Sequence, residues 1–382
     1  MVYRWQFQPY RRRFKQALQT RYGLWSLREG VILRLVNDAG KVGWGEIAPI
    51  PWFGSETLEQ ALAFCRQLPS ELSERLIFTI PDSLPSCQFA FESAWEAMKA
   101  GAIERMEPQR RRGTENQNAL VTEVLIHRTQ SSGMSAQNSE RPWQNSTLDG
   151  HPPPNPQPTT SNPLSYSVLL PTGETALSAW KPLWEKGFRT FKWKIGVQAI
   201  TAEHELLRLL MQQFPPSARL RLDANGGLSI DDAARWLETC DAIAVNPKRP
   251  VTLEYLEQPL DVSQFQAMQD LNRSYRTPIA LDESVATLQQ LQTCYESGWR
   301  GIFVIKPAIV GSPMRLRQFC QAHPIDAVFS SAFETAIGRQ AGLRLAAALG
   351  NPERAMGYGT NHWVEEAESS SGEPLWQTPS SA

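Results

Sequence analysis

From Ser165 onward, short runs rich in apolar and β-branched residues alternate with longer stretches of helical period. The strand candidates are SYSVLL, RTFKWK, RLRLD, LEYLE, PIALD, GIFVIK and DAVFSS. Between them lie helical stretches such as AEHELLRLLMQQF, SIDDAARWLETC and SPMRLRQFCQAH. Repeated βα units of this kind imply a parallel sheet with both faces covered. Seven such strands, with an eighth expected near residues 355–358, are enough to close a barrel. An open doubly wound sheet is the alternative, but the glycine fingerprint that would follow its first strand is absent.

The pattern before Ser165 differs. Residues 1–103 carry strand-like VILRLVND and KVGWGEIA, joined by a turn at Asp38, Ala39 and Gly40, and then helical SETLEQALAFCRQL and SCQFAFESAWEAMKA. Ser55 and Ser86 are the expected helix caps. This predicts a small α+β capping domain. Residues 104–163 are dominated by Gln, Asn, Ser, Pro and Arg, too little apolar surface to offset the entropy of ordering, and read as a disordered insertion. The barrel is expected over 164–360, with a C-terminal tail at 361–382.

Composition narrows the function classes. With 382 residues, 41% hydrophobic and 20% charged, the chain can bury a large core. A formal net charge of -1 gives no electrostatic reason to expect nucleic acid or an anionic membrane as partner. The five cysteines are scattered and form no CxxC pair, which argues against a disulfide framework or a structural zinc site. No apolar run is long enough to span a bilayer and the opening residues do not read as a secretory signal, so the cytoplasm is the expected location. Arg11, Arg12 and Arg13 read as a solvated strand edge. Nothing in the pattern reports an oligomeric state.

The candidate chemistry sits at strand ends. In FKWKIG, Phe191, Trp193 and Ile195 share one face while Lys192 and Lys194 share the other. Asp223 ends RLRLD, Glu257 ends LEYLE, Asp282 ends PIALD and Lys306 ends GIFVIK. Five consecutive βα units thus place charge at the carboxyl end of the barrel, where active sites form. A single carboxylate there is ordinarily a helix cap or surface charge; five charged strand ends in register point to one cavity. Three carboxylates from separate strands make a hard-oxygen site suited to Mg²⁺, and no Cys or His joins them to favour zinc. A lysine near a second cation loses proton affinity, so Lys194 can serve as base, with Lys192 supplying part of the push. That set can take the proton beside a substrate carboxylate and stabilise the resulting enediolate charge.

The ordered motifs FKWKIG, RLDANGG, YLEQPL, IALDES and VIKPAIVG, with VGWGEIAPIPWFGSET before them, resemble the enolase superfamily in its muconate lactonising branch, and within it the o-succinylbenzoate synthase family. The resemblance covers nearly everything outside the insertion. It implies a (β/α)7β TIM-like barrel under an N-terminal α+β capping domain whose loops close over a small-molecule carboxylate. It further implies Asp223, Glu257 and Asp282 as magnesium ligands, Lys194 as acid/base and Lys306 on the opposite face. The implied reaction is syn dehydration of 2-succinyl-6-hydroxy-2,4-cyclohexadiene-1-carboxylate to 2-succinylbenzoate, a step toward menaquinone or phylloquinone.

Strand parity adds further expectations. Arg221 shares a face with Asp223 and is expected to reach the cavity as a substrate contact, unless it forms an ion pair within a barrel layer. Asn225 continues that face and is expected to orient Lys192 or Lys194, whereas Glu283 is expected to point elsewhere. Ser330 and Ser331, with Glu334, are expected to hold the substrate's second carboxylate. Gly43, Gly45, Pro49 and Pro51 would shape a loop over the mouth, and Trp52 and Phe53 would touch the substrate ring. Three other readings stay open: an N-acylamino acid racemase or dipeptide epimerase using both lysines as bases, a metal-free barrel with a Schiff-base lysine, and a non-catalytic scaffold acting through the insertion.

Overall fold

Long antiparallel pairing organises the N-terminal segment of this computed structural model, which describes residues 2–20, 23–100, 165–244, 251–369 and 376. The strands are β1 (Val2–Thr20), β2 (Gly23–Val36), β3 (Val42–Ile47) and β4 (Glu71–Ser73); the helices are α1 (Leu58–Gln67), α2 (Glu74–Ile77) and α3 (Pro85–Ala100). Tyr3, Val31, Leu33, Leu35 and Ile47 are buried on one sheet face against Ala90, Phe91 and Ala94 of α3. The expected turn forms where Gly40 donates to the Asn37 carbonyl (2.9 Å). The insertion at 104–163 lies outside the described residues.

Both expected helix caps are replaced by neighbours. Thr57, not Ser55, caps α1, with Gln60 reciprocating in a capping box, and Ser55 Oγ instead accepts the Ile50 N–H at 2.7 Å. At α3 the Glu56 carboxylate accepts the Ser86 and Cys87 N–H groups (3.1 and 2.8 Å). Ser86 Oγ donates across to the Ala308 carbonyl (2.6 Å). A carboxylate reaches these amides more effectively than the hydroxyl of a residue already in the first turn.

The second half alternates strands and helices as read: β5 (Tyr166–Leu169), α4 (Ala176–Glu185), β6 (Thr190–Lys194), α5 (Ile200–Gln213), β7 (Arg219–Asp223), α6 (Ile230–Ala244), β8 (Thr252–Glu257), α7 (Phe265–Ser274), β9 (Ile279–Leu281), α8 (Leu288–Glu296), β10 (Ile302–Ile305), α9 (Pro307–Val310), α10 (Pro313–Ala322), β11 (Asp326–Phe329), α11 (Ala336–Leu349) and β12 (Met356–Gly359). The strands run β11-β10-β9-β8-β7-β6-β5-β12, all pairings parallel. A parallel bridge between Ser330 and Gly357 closes the ring. The eighth strand therefore falls within a residue of its expected place.

Outward side chains of the barrel strands, among them Phe191, Trp193, Leu220 and Leu222, form one large core with the surrounding helices. Inward ones are plugged by Tyr255, Ala280, Ile302, Val304 and Val328. A packed interior leaves only the carboxyl ends of the strands free for chemistry. The chain returns to the cap beyond the barrel: β13 (Glu368–Ser369) adds to the edge of β1, with Tyr10 opposite Ser369. Part of the expected tail is thus a strand of the capping sheet.

The glycines of VGWGE do not shape a mouth loop. Gly43 and Gly45 lie within β3 where it crosses α3, and a Cβ there would come within 1.9 Å of the Ala94 carbonyl oxygen and 2.1 Å of the Ala90 one. Contact between strand and helix backbones demands them. Pro51 does begin a turn over the mouth, Pro51–Phe53, ended by Gly54 at a φ of 102°.

Candidate active site

Register brings the strand-end charges together. Lys194 on β6 is level with Asp223 on β7, and Asp223 with Glu257 on β8. Asp282 and Lys306 follow directly on β9 and β10. In a ring of eight, β6 and β10 stand diametrically opposite, so Lys194 and Lys306 face each other across the mouth.

A cavity opens there, with about 830 Å³ of empty space that includes its mouth to solvent. Its floor carries Lys192, Lys194, Asp223, Asp282 and Lys306; Ser330 and Ser331 line one side, and the cap contributes Trp25, Trp52 and Phe53. Glu257 lies just beneath. The Lys306 ammonium stands 4.3 Å from the centre of the Phe53 ring, close enough for a cation–π contact.

Ion pairs knit the floor. Lys192 Nζ lies 2.6 Å from Glu257 Oε1 and 2.8 Å from Asp223 Oδ2, and Lys306 Nζ pairs with Asp282 Oδ1. Glu257 Oε2 is buried without a hydrogen-bond partner. Among the described residues no three acidic, His or Cys side chains are grouped as a metal cage; the Lys192 and Lys306 ammonium groups lie against the carboxylates.

These contacts set proton affinities. Burial lowers the pKa of Lys194; Asp223 opposes that shift, and the Lys192 charge adds to it. Burial also acts to lower that of Lys192, but the Asp223 and Glu257 carboxylates outweigh it and raise it well above the ordinary value. Burial, and then the Asp223 charge, push Glu257 up to about 8. Two lysines two residues apart are thus held in opposite directions, and it is the second that is primed to lose its proton.

Three expectations about individual residues change. Arg221 is 1% exposed and does not line the cavity: its Nε meets Glu254 Oε2 at 2.5 Å and Nη1 meets Ser167 Oγ at 3.3 Å, so it is a barrel-layer ion pair and no substrate contact. Asn225 does line the cavity but orients acids instead of lysines: its backbone N–H donates to Asp223 Oδ1 (2.9 Å), and Nδ2 to Asp223 Oδ2 (3.3 Å) and Glu283 Oε1 (3.2 Å). Glu283 points into the same cavity, and burial, then Asp282, push its pKa up to about 8. The turn Glu283–Val285 starts there, so strand parity ends at Asp282.

On the far side, Ser330 Oγ reaches the Gly357 carbonyl (3.4 Å), and Ser331 Oγ donates to Glu334 (3.1 Å). Both line the cavity, beside Phe333. Leu18, Trp25 and Phe333 carried no signal in the sequence, since single apolar residues outside regular periodicity look like any packing residue.

Residues 3–98 match the MenC N-terminal domain and residues 176–375 the enolase C-terminal domain-like family. The o-succinylbenzoate synthase of Thermosynechococcus vestitus is 36% identical over 362 residues, 94% of this chain and 93% of that one. A crystal structure of o-succinylbenzoate synthase from Thermosynechococcus elongatus BP-1, complexed with Mg in its active site, superposes with a TM-score of 0.73 at 35% identity, covering 94% of each chain. The L-Ala-D/L-Glu epimerase of Bacillus subtilis shares the fold, with a TM-score of 0.65 at 18% identity over 94% of this chain and 89% of that one. With identity sustained across both the cap and the barrel, this chain belongs to the o-succinylbenzoate synthase family of the enolase superfamily.

Proposed function

We propose that this chain catalyses the Mg²⁺-dependent syn dehydration of 2-succinyl-6-hydroxy-2,4-cyclohexadiene-1-carboxylate to 2-succinylbenzoate, a step toward menaquinone or phylloquinone. The observation that carries the assignment of roles is the placement of Lys194 and Lys306 on opposite strands of one cavity, with Asp223, Glu257 and Asp282 on the three tips between them.

The residues fit a hard divalent cation. Asp223, Glu257 and Asp282 offer only oxygen donors from three adjacent strands, and one of those oxygens, Glu257 Oε2, is buried and unpartnered. With Glu283 there are four carboxylates against the three ammonium groups of Lys192, Lys194 and Lys306. With Lys194 neutral as the base, a divalent ion would cancel the remaining excess of negative charge and so remove the repulsion an anionic substrate would meet. Lys192 and Lys306 are flexible enough to swing off the carboxylates they now pair with. When bound, Mg²⁺ supplies Lewis-acid stabilisation of the negative charge that builds on the substrate carboxylate.

The chain's own groups do the rest. Lys194 Nζ, its proton affinity lowered by burial, takes the proton from the carbon beside the carboxylate and returns it to the hydroxyl that leaves from the same face as water. Lys306 Nζ, over the Phe53 ring, remains an ammonium and balances charge from the other face. Lys192 pairs with the Asp223 and Glu257 side chains and holds them until the ion takes their oxygens. Trp25, Trp52 and Phe53 shield the reacting carbon ring from water. In this reading the cap is residues 1–103 and the barrel 164–360.

A racemase or epimerase would use both lysines as bases; the match of the N-terminal domain to the synthase family favours dehydration. The test follows ultraviolet absorbance of the cyclohexadiene acid as it becomes aromatic, with Mg²⁺ or with chelator. Turnover abolished by chelator is expected, and magnesium-independent turnover overturns the assignment. Racemisation of N-acyl amino acids without dehydration would favour the second reading.

A further inference from the structure

Phe333 is held in a conformation that a bulky side chain seldom adopts. Its φ is 59°, in the left-handed region where a Cβ is crowded by the backbone. The ring lines the cavity and meets Phe14 and Trp25 edge-on, with centroids 5.1 and 5.5 Å apart. Its own N–H donates to Ser331 Oγ at 2.9 Å, while the Glu334 carboxylate accepts the Ala332 N–H at 2.6 Å.

The next anchor comes from the cap. Glu46 on β3 is fully buried, and its carboxylate accepts the Thr335 N–H (2.8 Å), the Gly338 N–H (2.9 Å), the Thr335 hydroxyl and the Tyr10 hydroxyl. It rivets the capping sheet to the first turn of α11, two residues beyond Phe333. From β1, Arg12 Nη1 adds a bond to the Glu334 carbonyl at 2.8 Å, so this arginine crosses to the barrel and is not a free solvated edge. A strained residue persists only where its surroundings over-determine it, and here the cap provides that restraint.

We propose that Glu46 is a positioning residue acting through Phe333: the rivet holds the strained ring as the wall that sizes the substrate's carbon ring. This rests on the dehydratase reading, for which wild-type turnover is the control; a wild type that does not dehydrate the cyclohexadiene acid sinks both. Given turnover, the test is a double-mutant cycle of Glu46→Gln and Phe333→Gly read as KM and kcat. Glycine accepts the positive φ, so Phe333→Gly removes the ring without backbone strain, a relief that offsets part of the packing lost against Phe14 and Trp25. Each single substitution should raise KM by about tenfold and change kcat by less than about threefold. The double variant should be no worse than Phe333→Gly, because Glu46 has nothing left to position. Multiplied effects of about a hundredfold, or a Glu46→Gln enzyme that loses thermal stability at wild-type KM, overturn the inference. Should Glu46→Gln not fold, Tyr10→Phe removes one donor from the same carboxylate. It should raise KM by about threefold in the wild type and leave it unchanged in the Phe333→Gly background.

Discussion

Lys192 Nζ stands 2.6 Å from Glu257 Oε1, spanning from β6 past β7 to β8. The same ammonium touches Asp223 at 2.8 Å, so one cation balances two buried carboxylates. Removing one member of a buried pair strands the other's charge, at a cost of about 3 kcal/mol. In chelator, Lys192→Ala should therefore unfold about 5–10 °C below the wild type. Saturating Mg²⁺ should recover most of that difference, because the ion binds the variant more tightly where no ammonium competes for the Asp223 and Glu257 oxygens, and each folded chain gains RT ln(1 + [Mg²⁺]/Kd). Thermal unfolding of both proteins in chelator and in Mg²⁺ decides the matter. An equal deficit in both conditions would mean that Asp223 and Glu257 do not hold the ion.

Lys194 and Lys306 call for a different measurement, since both line the cavity and either loss would slow turnover. Loss of a general base costs about 10²–10⁴ in rate. Lys194→Ala should fall in that range in kcat, with KM little changed, and a small primary alkylamine added in solution should restore part of the rate by occupying the space left. Lys306→Ala should also be slow, but an amine should rescue it only in its ammonium form, with no dependence on free base. Rescue of neither variant by amines, with both still binding substrate, would remove the proton-transfer role from Lys194.

Much of this site was legible in the sequence because a parallel barrel converts spacing into position. One βα unit separates successive tips, so Lys194, Asp223, Glu257, Asp282 and Lys306 had to arrive at one rim once the ring closed. The expectation failed where regular geometry stops. Pairing of β7 with β8 slips between Leu220 and Arg221, and that irregularity accompanies the Arg221–Glu254 pair, which parity alone could not foresee. At Asp282 the strand gives way to a turn, which swings Glu283 into the cavity. The contributions of the cap were least visible: Glu46 and Thr335 are 289 positions apart, and no local pattern announces so distant a hydrogen bond.

At the other end of the barrel, Asp326 opens β11 in a bidentate pair with Arg354, at 2.7 and 2.6 Å, and accepts the Asn351 amide at 2.8 Å. Burial acts to raise its pKa, but the Arg354 and Asn351 hydrogen bonds outweigh it and leave the carboxyl below its ordinary value. As pH falls, the unfolded chain takes up this proton first, near the ordinary aspartate value of about 3.9. The pair's contribution is therefore complete above that range and vanishes as pH falls through the lowered folded value. Urea midpoints of the wild type and Asp326→Asn should differ by a constant amount at neutral pH and converge below about pH 4. A gap that persists undiminished to pH 3 would contradict the sign of the shift.

Gly45 tests the cap without touching the chemistry. A Cβ there would lie 2.1 Å from the Ala90 carbonyl oxygen and 3.2 Å from the Ala94 Cβ, and neither can move without shifting α3. That helix also reaches the barrel: Ser86 bonds the Ala308 carbonyl, two residues past Lys306, and Glu92 Oε2 accepts from Ser312 Oγ at 2.8 Å. Overpacking of this kind costs about 1–3 kcal/mol where the neighbours can yield and more against backbone. Gly45→Ala should therefore lower the unfolding temperature by several degrees. It should also lower kcat, because displacing α3 displaces the backbone that carries Lys306. Gly40→Ala is the control: it sits at a φ of 74° with nothing within 4 Å of an added Cβ, so it should cost stability through backbone strain alone and leave kcat as it was. If both substitutions lower stability equally and neither changes kcat, α3 does not set the position of Lys306.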